Sequence, residues 1–178
     1  MTKTYKIALF SILLSIGLVL HLLEPVFVIP GTGFMLKIGI SNIVIVYLLF
    51  SQGRKQALLL SFFKVLFSLL FSPTVNFSNF LISFGGAILS VLVMTLLYKN
   101  KIKRIEFISI MGGIFHNIGQ WIVVVLMMRL NISVRIFLYY IPFLICIGAL
   151  TGYFVGLLSN LVLSKFSNVR EKSSYNSN

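Results

Sequence analysis

An all-α integral membrane protein, folded as a bundle of six transmembrane helices with both termini in the cytoplasm, is what this sequence predicts. Three observations carry that prediction. Of 178 residues, 58% are hydrophobic and only 10% charged, at a mean hydropathy of +1.04, which leaves too little polar surface for a soluble domain. Six apolar runs, at about 7–23, 34–50, 57–71, 80–98, 107–128 and 136–163, divide residues 1–164. The basic residues fall between these runs, and they fall unevenly. Lys3, Lys6, Arg54, Lys55, Lys99, Lys101, Lys103, Arg104, Lys165, Arg170 and Lys172 make 11 of the 15 on the side of the termini, leaving Lys37, Lys64, Arg129 and Arg135. Excess Lys and Arg mark the cytoplasmic side. The net charge of +12 is therefore a topology signal and not the basic face of a nucleic-acid binder.

The first run follows Lys3 and Lys6 and imitates a secretory signal, but Glu24-Pro25 succeeds it with no small-residue cleavage site. It is read as a retained helix. Ala8, Ser11 and Ser15 give it a stripe of small residues suited to packing against a partner helix, and His21 is expected at its outer, solvated end. Pro25, Pro30, Gly31 and Gly33 then make an irregular outer loop.

The second run contains Lys37, Ser41 and Asn42. Lys37 and Ser41 stand one turn apart on one side, and Lys37 is early enough for its ammonium to reach the outer interface. The third run holds Lys64 at its centre, with Ala57, Ser61 and Ser68 on the same face. From mid-span a lysine reaches water least easily, so Lys64 is expected to face the protein interior or a cavity. Residues 72–79, with Pro73 and two asparagines, read either as an outer loop or as a re-entrant segment.

The fourth run has Gly85, Gly86 and Ser90 for close packing. The fifth carries the densest polar pattern of the chain, Gly112-Gly113-Ile114-Phe115-His116-Asn117-Ile118-Gly119-Gln120-Trp121. Wound at about 100° per residue, Ser109, Gly112, Gly113, His116, Asn117, Gly119 and Gln120 share one side, and Ile110, Met111, Ile114, Phe115, Ile118, Trp121 and Ile122 the other. Polar side chains in hydrocarbon must meet protein, water or a ligand. A hydrogen-bonded helix seam and a ligand site both satisfy that. In the sixth run, interrupted by Pro142, Gly148, Gly152 and Gly156 recur every four residues. They form a ridge for close approach of another helix, from this chain or from a partner. The tail from 165 to 178 is polar and expected to be disordered.

No catalytic constellation, phosphate-cradling loop or nucleotide signature is visible. The lone Cys146 excludes an intrachain disulfide, and no cluster with metal-ligand spacing occurs. The chain is thus expected not to be an enzyme and to hold no metal or cofactor. It has no aspartate, and its acids are Glu24, Glu106 and Glu171, which argues against chemistry on carboxylate-held Mg²⁺. An inward-facing set of Lys64, Asn117, Gln120 and His116, with Lys37 and Asn42, suits a small polar or anionic ligand.

The pattern Lys37-Ile-Gly-Ile-Ser-Asn42, Gly85-Gly86, Gly112-Gly113-Ile-Phe-His116-Asn117-Ile-Gly-Gln120, Pro142 and Thr151-Gly152 resembles the Gx transporter family, also labelled heptaprenyl diphosphate synthase component I. More broadly it resembles the substrate-binding S components of energy-coupling-factor transporters. The resemblance reaches from the first helix to about Leu163. It implies a membrane subunit that captures a small molecule, with a transmembrane coupling subunit and two cytoplasmic ATPases as partners. S components dock through first-helix alanines at four-residue spacing, where this chain has Ala8, Ile12 and Ile16, with Ser11 and Ser15 as substitutes. The alternative function is a non-catalytic membrane scaffold serving polyprenyl diphosphate or quinone synthesis, or flavin-linked electron transfer. It would assemble through Gly148, Gly152 and Gly156.

The topology has a direct test. In intact cells, a membrane-impermeant thiol reagent is expected to label cysteines placed at Gly31 or Asn131 and to miss one at Lys101. Labelling at Lys101 from outside reverses the orientation.

Overall fold

The computed structural model describes residues 3–28, 35–71, 77–102, 104–127 and 134–175. Within them the chain forms six helices and one two-stranded hairpin. In order these are α1 (Lys3–Leu23), β1 (Val26–Val28), β2 (Met35–Lys37), α2 (Asn42–Ser51), α3 (Arg54–Phe71), α4 (Phe77–Lys99), α5 (Ile105–Met127) and α6 (Val134–Tyr175). Four of the helices are long and apolar enough to cross a membrane: α1, α4, α5, and α6 over Tyr139–Lys165. The expected segment around Pro30 to Gly33 lies outside the described residues, as do 72–76 and the positions Asn131, Lys103 and Arg129.

The largest departure from expectation is the second run. Residues 34–50 do not form one span. Met35–Lys37 pair antiparallel with Val26–Val28, Val26 opposite Lys37, and a turn through Gly39 leads into α2. At ten residues, α2 is about 15 Å long, half of a hydrocarbon core of about 30 Å. Asn42-Ile-Val-Ile-Val-Tyr-Leu-Leu-Phe-Ser has no polar side, as a helix enclosed by others requires. Seven of its ten residues are buried. Hydropathy alone cannot tell such a segment from the middle of a span. Its end is set by Gly53, whose φ of +96° allows its N–H and that of Gln52 to reach the Leu48 carbonyl.

Other helices keep the expected places with small shifts in their ends. On α3, Ala57, Ser61, Lys64 and Ser68 share the buried face with Leu60 and Val65. On α5 the seven residues of the expected polar side are all buried. Trp121, expected on the opposite side, is buried as well, packed 5.3 Å from the Tyr140 ring. The tail expected to be disordered continues α6 to Tyr175, and residues 176–178 lie outside the described set.

The glycine ridge of α6 is used within the chain. A Cβ on Gly152 would stand 2.5 Å from the Ser109 carbonyl oxygen of α5, and one on Gly148 2.7 Å from that of Gly113. On the other flank of α5, a Cβ on Gly119 would meet the Gly85 oxygen of α4 at 2.6 Å. Helix α5 is therefore held backbone to backbone between α4 and α6, with Ser90 donating to the Gly112 carbonyl at 2.8 Å. Gly148, Gly152 and Gly156 are accordingly covered by α5 and not by a partner. Ala8, Ser11 and Ser15 do face outward on α1.

Two apolar clusters fill the interior. One gathers Val44–Leu49 of α2 with Leu60, Val91, Met94 and Ile108. The other joins Leu36 of the hairpin to Ile82, Trp121, Val124 and Leu144. Residues 37–42 run from one cluster to the other.

Because the α5–α6 seam leaves no room for a side chain, Gly152→Val is expected to lower stability by at least about 1–3 kcal/mol, the usual cost of overpacking. A lowered unfolding midpoint of the purified protein in detergent checks this.

Candidate functional site

The site forms where α1 ends, the hairpin begins and α2 starts. Glu24 follows the last turn of α1, and its carboxylate meets the N-terminus of α2. The Ser41 backbone N–H donates to Oε1 at 3.2 Å and the Ser41 hydroxyl to Oε2 at 3.4 Å. An anion at a helix N-terminus satisfies orphan N–H groups and is favoured by the helix dipole. The same hydroxyl accepts from Lys64 Nζ at 2.9 Å, and Lys64 also donates to Asn42 Oδ1 at 3.4 Å. Ser41 thus links a cation and an anion that are both inside the protein. Lys64 is 1% exposed, and its stem passes Gly17 of α1, where a Cβ would lie 3.6 Å from Lys64 Cδ and 2.6 Å from Val44.

His21 was expected in solvent at the outer end of α1. It is buried instead, with Nδ1 3.4 Å from the Glu24 carboxylate but not aligned as a hydrogen bond. Glu24, read from sequence as a span-end residue, is therefore a buried acid inside the bundle, beside His21 and linked to Lys64 through Ser41.

Lys37 and Gln120 fix the hairpin to the helices. The Lys37 N–H donates to Gln120 Oε1 and Gln120 Nε2 donates to the Lys37 carbonyl, both at 2.8 Å. The primary amide takes the place of a peptide group in a third strand. Lys37 Nζ turns the other way and donates to the His21 carbonyl at 2.9 Å, putting a cation at the C-terminus of α1.

His116 stands beside this junction. A Cβ on Gly39 would lie 3.2 Å from His116 Cδ2 and 3.4 Å from Asn42 Nδ2, and one on Gly86 3.1 Å from His116 Cε1. Gly39 has φ +91°, a conformation and a closeness that both favour glycine. His116 is within electrostatic reach of Glu24, Lys64 and His21. Asn117 points elsewhere: its amide donates to the Leu144 carbonyl of α6 at 3.1 Å. Of the six expected binding residues, five gather at the junction: Lys64, Asn42 and His116 inside it, Lys37 and Gln120 along its hairpin side. Asn117 belongs to the α5–α6 seam. Glu24, His21, Ser41 and Gly39 complete the cluster. Its sequence signals were the i, i+3 pair His21/Glu24 directly before Pro25, and a glycine two residues before Ser41-Asn42.

Four helices able to cross a bilayer, together with buried side chains such as Lys64, Glu24 and His116, mark this as a membrane protein whose interior carries polar groups. The chain matches the family described as heptaprenyl diphosphate synthase component I over residues 13–162, and it belongs to that family. No curated protein and no solved structure matches it.

The Gln120 latch makes a prediction. Gln120→Leu removes two hydrogen bonds worth about 1 kcal/mol each. Hydrogen exchange at the Lys37 amide is expected to speed up by roughly 10- to 30-fold, with α4 and α6 unchanged.

Proposed function

We propose that the protein is the substrate-binding subunit of a small-molecule transporter in the cell membrane, with both termini cytoplasmic and energy supplied by partner subunits. The observation that carries this reading is the enclosed set of Lys64, Glu24, Ser41, Asn42, His21 and His116. Ionised groups inside a membrane protein are costly, and they mark ligand or ion sites more often than structural joints. The chain has no nucleotide-binding motif, so partner ATPases are part of the proposal, as is a coupling subunit against the outward face of α1 with Ala8, Ser11 and Ser15. Six crossings are retained by counting α3 as one and β2–α2 as another. That crossing is a broken one, extended and then helical, and transporters place half-helix termini of this kind at their substrate sites.

The family's name invites a role in prenyl diphosphate synthesis. A chain without aspartate lacks the carboxylates that hold Mg²⁺ in that chemistry, so such a role here would be that of an accessory. The scaffold reading depended on the α6 glycines as a partner surface, and α5 covers them.

Native mass spectrometry of the purified protein is expected to show one small molecule bound. With that molecule as probe, Lys64→Met removes a charge-assisted hydrogen bond of about 1.5–3 kcal/mol, weakening binding roughly 10- to 150-fold. A binding isotherm overlaying the parent's removes Lys64 from the site.

A further inference from the structure

The buried junction holds several donors with no partner among the described residues. Lys64 Nζ brings three N–H groups and uses two, on Ser41 and Asn42. Asn42 Nδ2 has no partner among the described residues, and the His116 ring, beside the backbone of Gly86, makes no aligned hydrogen bond among them. Both residues are well over nine-tenths buried, at 4% and 2% exposure. A neutral imidazole carries one N–H and the amide two. The charged acceptor among the described residues of the junction is the Glu24 carboxylate, which takes the N–H and hydroxyl of Ser41 and lies 3.4 Å from His21 Nδ1. Unused donors in a low-dielectric interior are expensive. All of them lie around Gly39 and the first residues of α2, and Glu24 occupies the anion position at that helix end.

We infer that Glu24 is an internal stand-in for a ligand's oxyanion, a carboxylate or a phosphate. The ligand group replaces it at the N-terminus of α2, taking the Ser41 N–H and hydroxyl, and adds bonds from Lys64, Asn42 Nδ2 and the His116 ring. This deepens the substrate-binding reading above and rests on it. A lone carboxylate delivered by a side chain satisfies only part of the donor set, whereas a free oxyanion can reach the rest. Glu24 leads through Pro25 directly into β1, so its withdrawal shifts the base of the hairpin that Gln120 holds over the junction. Release of the internal carboxylate and admission of the ligand are thereby one movement.

The test uses the full chain in lipid nanodiscs, titrated with sodium acetate and with sodium phosphate. Sodium chloride at matched ionic strength is the control, and the readout is the unfolding midpoint. Glu24→Gln removes the competing charge and is expected to unfold at lower temperature without added anion. It should be restabilised saturably by one oxyanion at concentrations roughly 10- to 100-fold below those the parent needs. Asn42→Leu in the Glu24→Gln background is expected to abolish that gain. A response to acetate alone assigns a carboxylate ligand, and one to phosphate alone a phosphoryl group. If Glu24→Gln does not accumulate, Glu24→Asp, which withdraws the carboxylate by one methylene, is read in the same titration. Equal oxyanion dependence in variant and parent, or a response to chloride equal to that to the oxyanions, overturns the inference. Native mass spectrometry of the parent separates it from the broader proposal. A bound neutral molecule overturns the oxyanion assignment and keeps the transporter subunit. A bound carboxylate or phosphate supports both. No bound molecule, with saturable anion binding by Glu24→Gln, supports the anion site and counts against the captured substrate.

Discussion

A lysine enclosed among helices needs a counter-charge or a ligand, and much of this molecule is arranged around that requirement. Lys64 reaches a carboxylate only through the Ser41 hydroxyl. That places three conditions on the chain. Helix α1 must stop so that Glu24 turns inward, α2 must begin at Ser41, and Gly17 must leave space for the lysine stem. Removing one partner of a buried charge pair typically costs several kcal/mol, because the other stays behind unpaired. The end of α1, the start of α2 and the middle of α3 are therefore interdependent even though the groups that join them are few.

The short α2 follows from the same requirement. A full-length second span would carry residues 35–41 through the bundle as helix, with their backbone groups used internally. Ending the helix at Asn42 frees the Ser41 N–H for Glu24 and exposes the Lys37 backbone to Gln120. Non-helical backbone in a membrane protein is tolerated where it is enclosed by protein, and here the hairpin together with the Gln120 amide satisfies it. The apolar, β-branched composition of α2 is poorly suited to an isolated helix. Here burial from all directions holds it.

Much of this was legible from the residues. The long uncharged runs gave α4 and α5 almost to their ends, and the 3.6-residue period placed His116, Gln120 and the α5 glycines on the buried side. The same period put Lys64 with Ala57, Ser61 and Ser68. The break at 35–41 was not legible, because Ile38, Ile40 and the α2 residues are as apolar as a span and hydropathy carries no information about φ. Nor could a helical face identify the neighbour that each polar residue meets. Asn117 and His116 are adjacent on α5, yet one bonds α6 and the other looks onto Gly39. Glu24 and His21 looked interfacial because they end a run, and burial there depends on a hairpin formed by residues further along. Small residues at four-residue spacing announce close approach but not whose helix approaches, and in α6 the approaching helix was the chain's own.

The side chain of Gln120 behaves as a strand one residue long. A strand edge enclosed by helices has backbone groups that must be paired within the protein, and β2 has an edge that β1 does not cover. By taking both the N–H and the carbonyl of Lys37, the amide pairs that edge where it meets α5. One glutamine thus stands in for a neighbouring strand, a task that proteins more often assign to backbone.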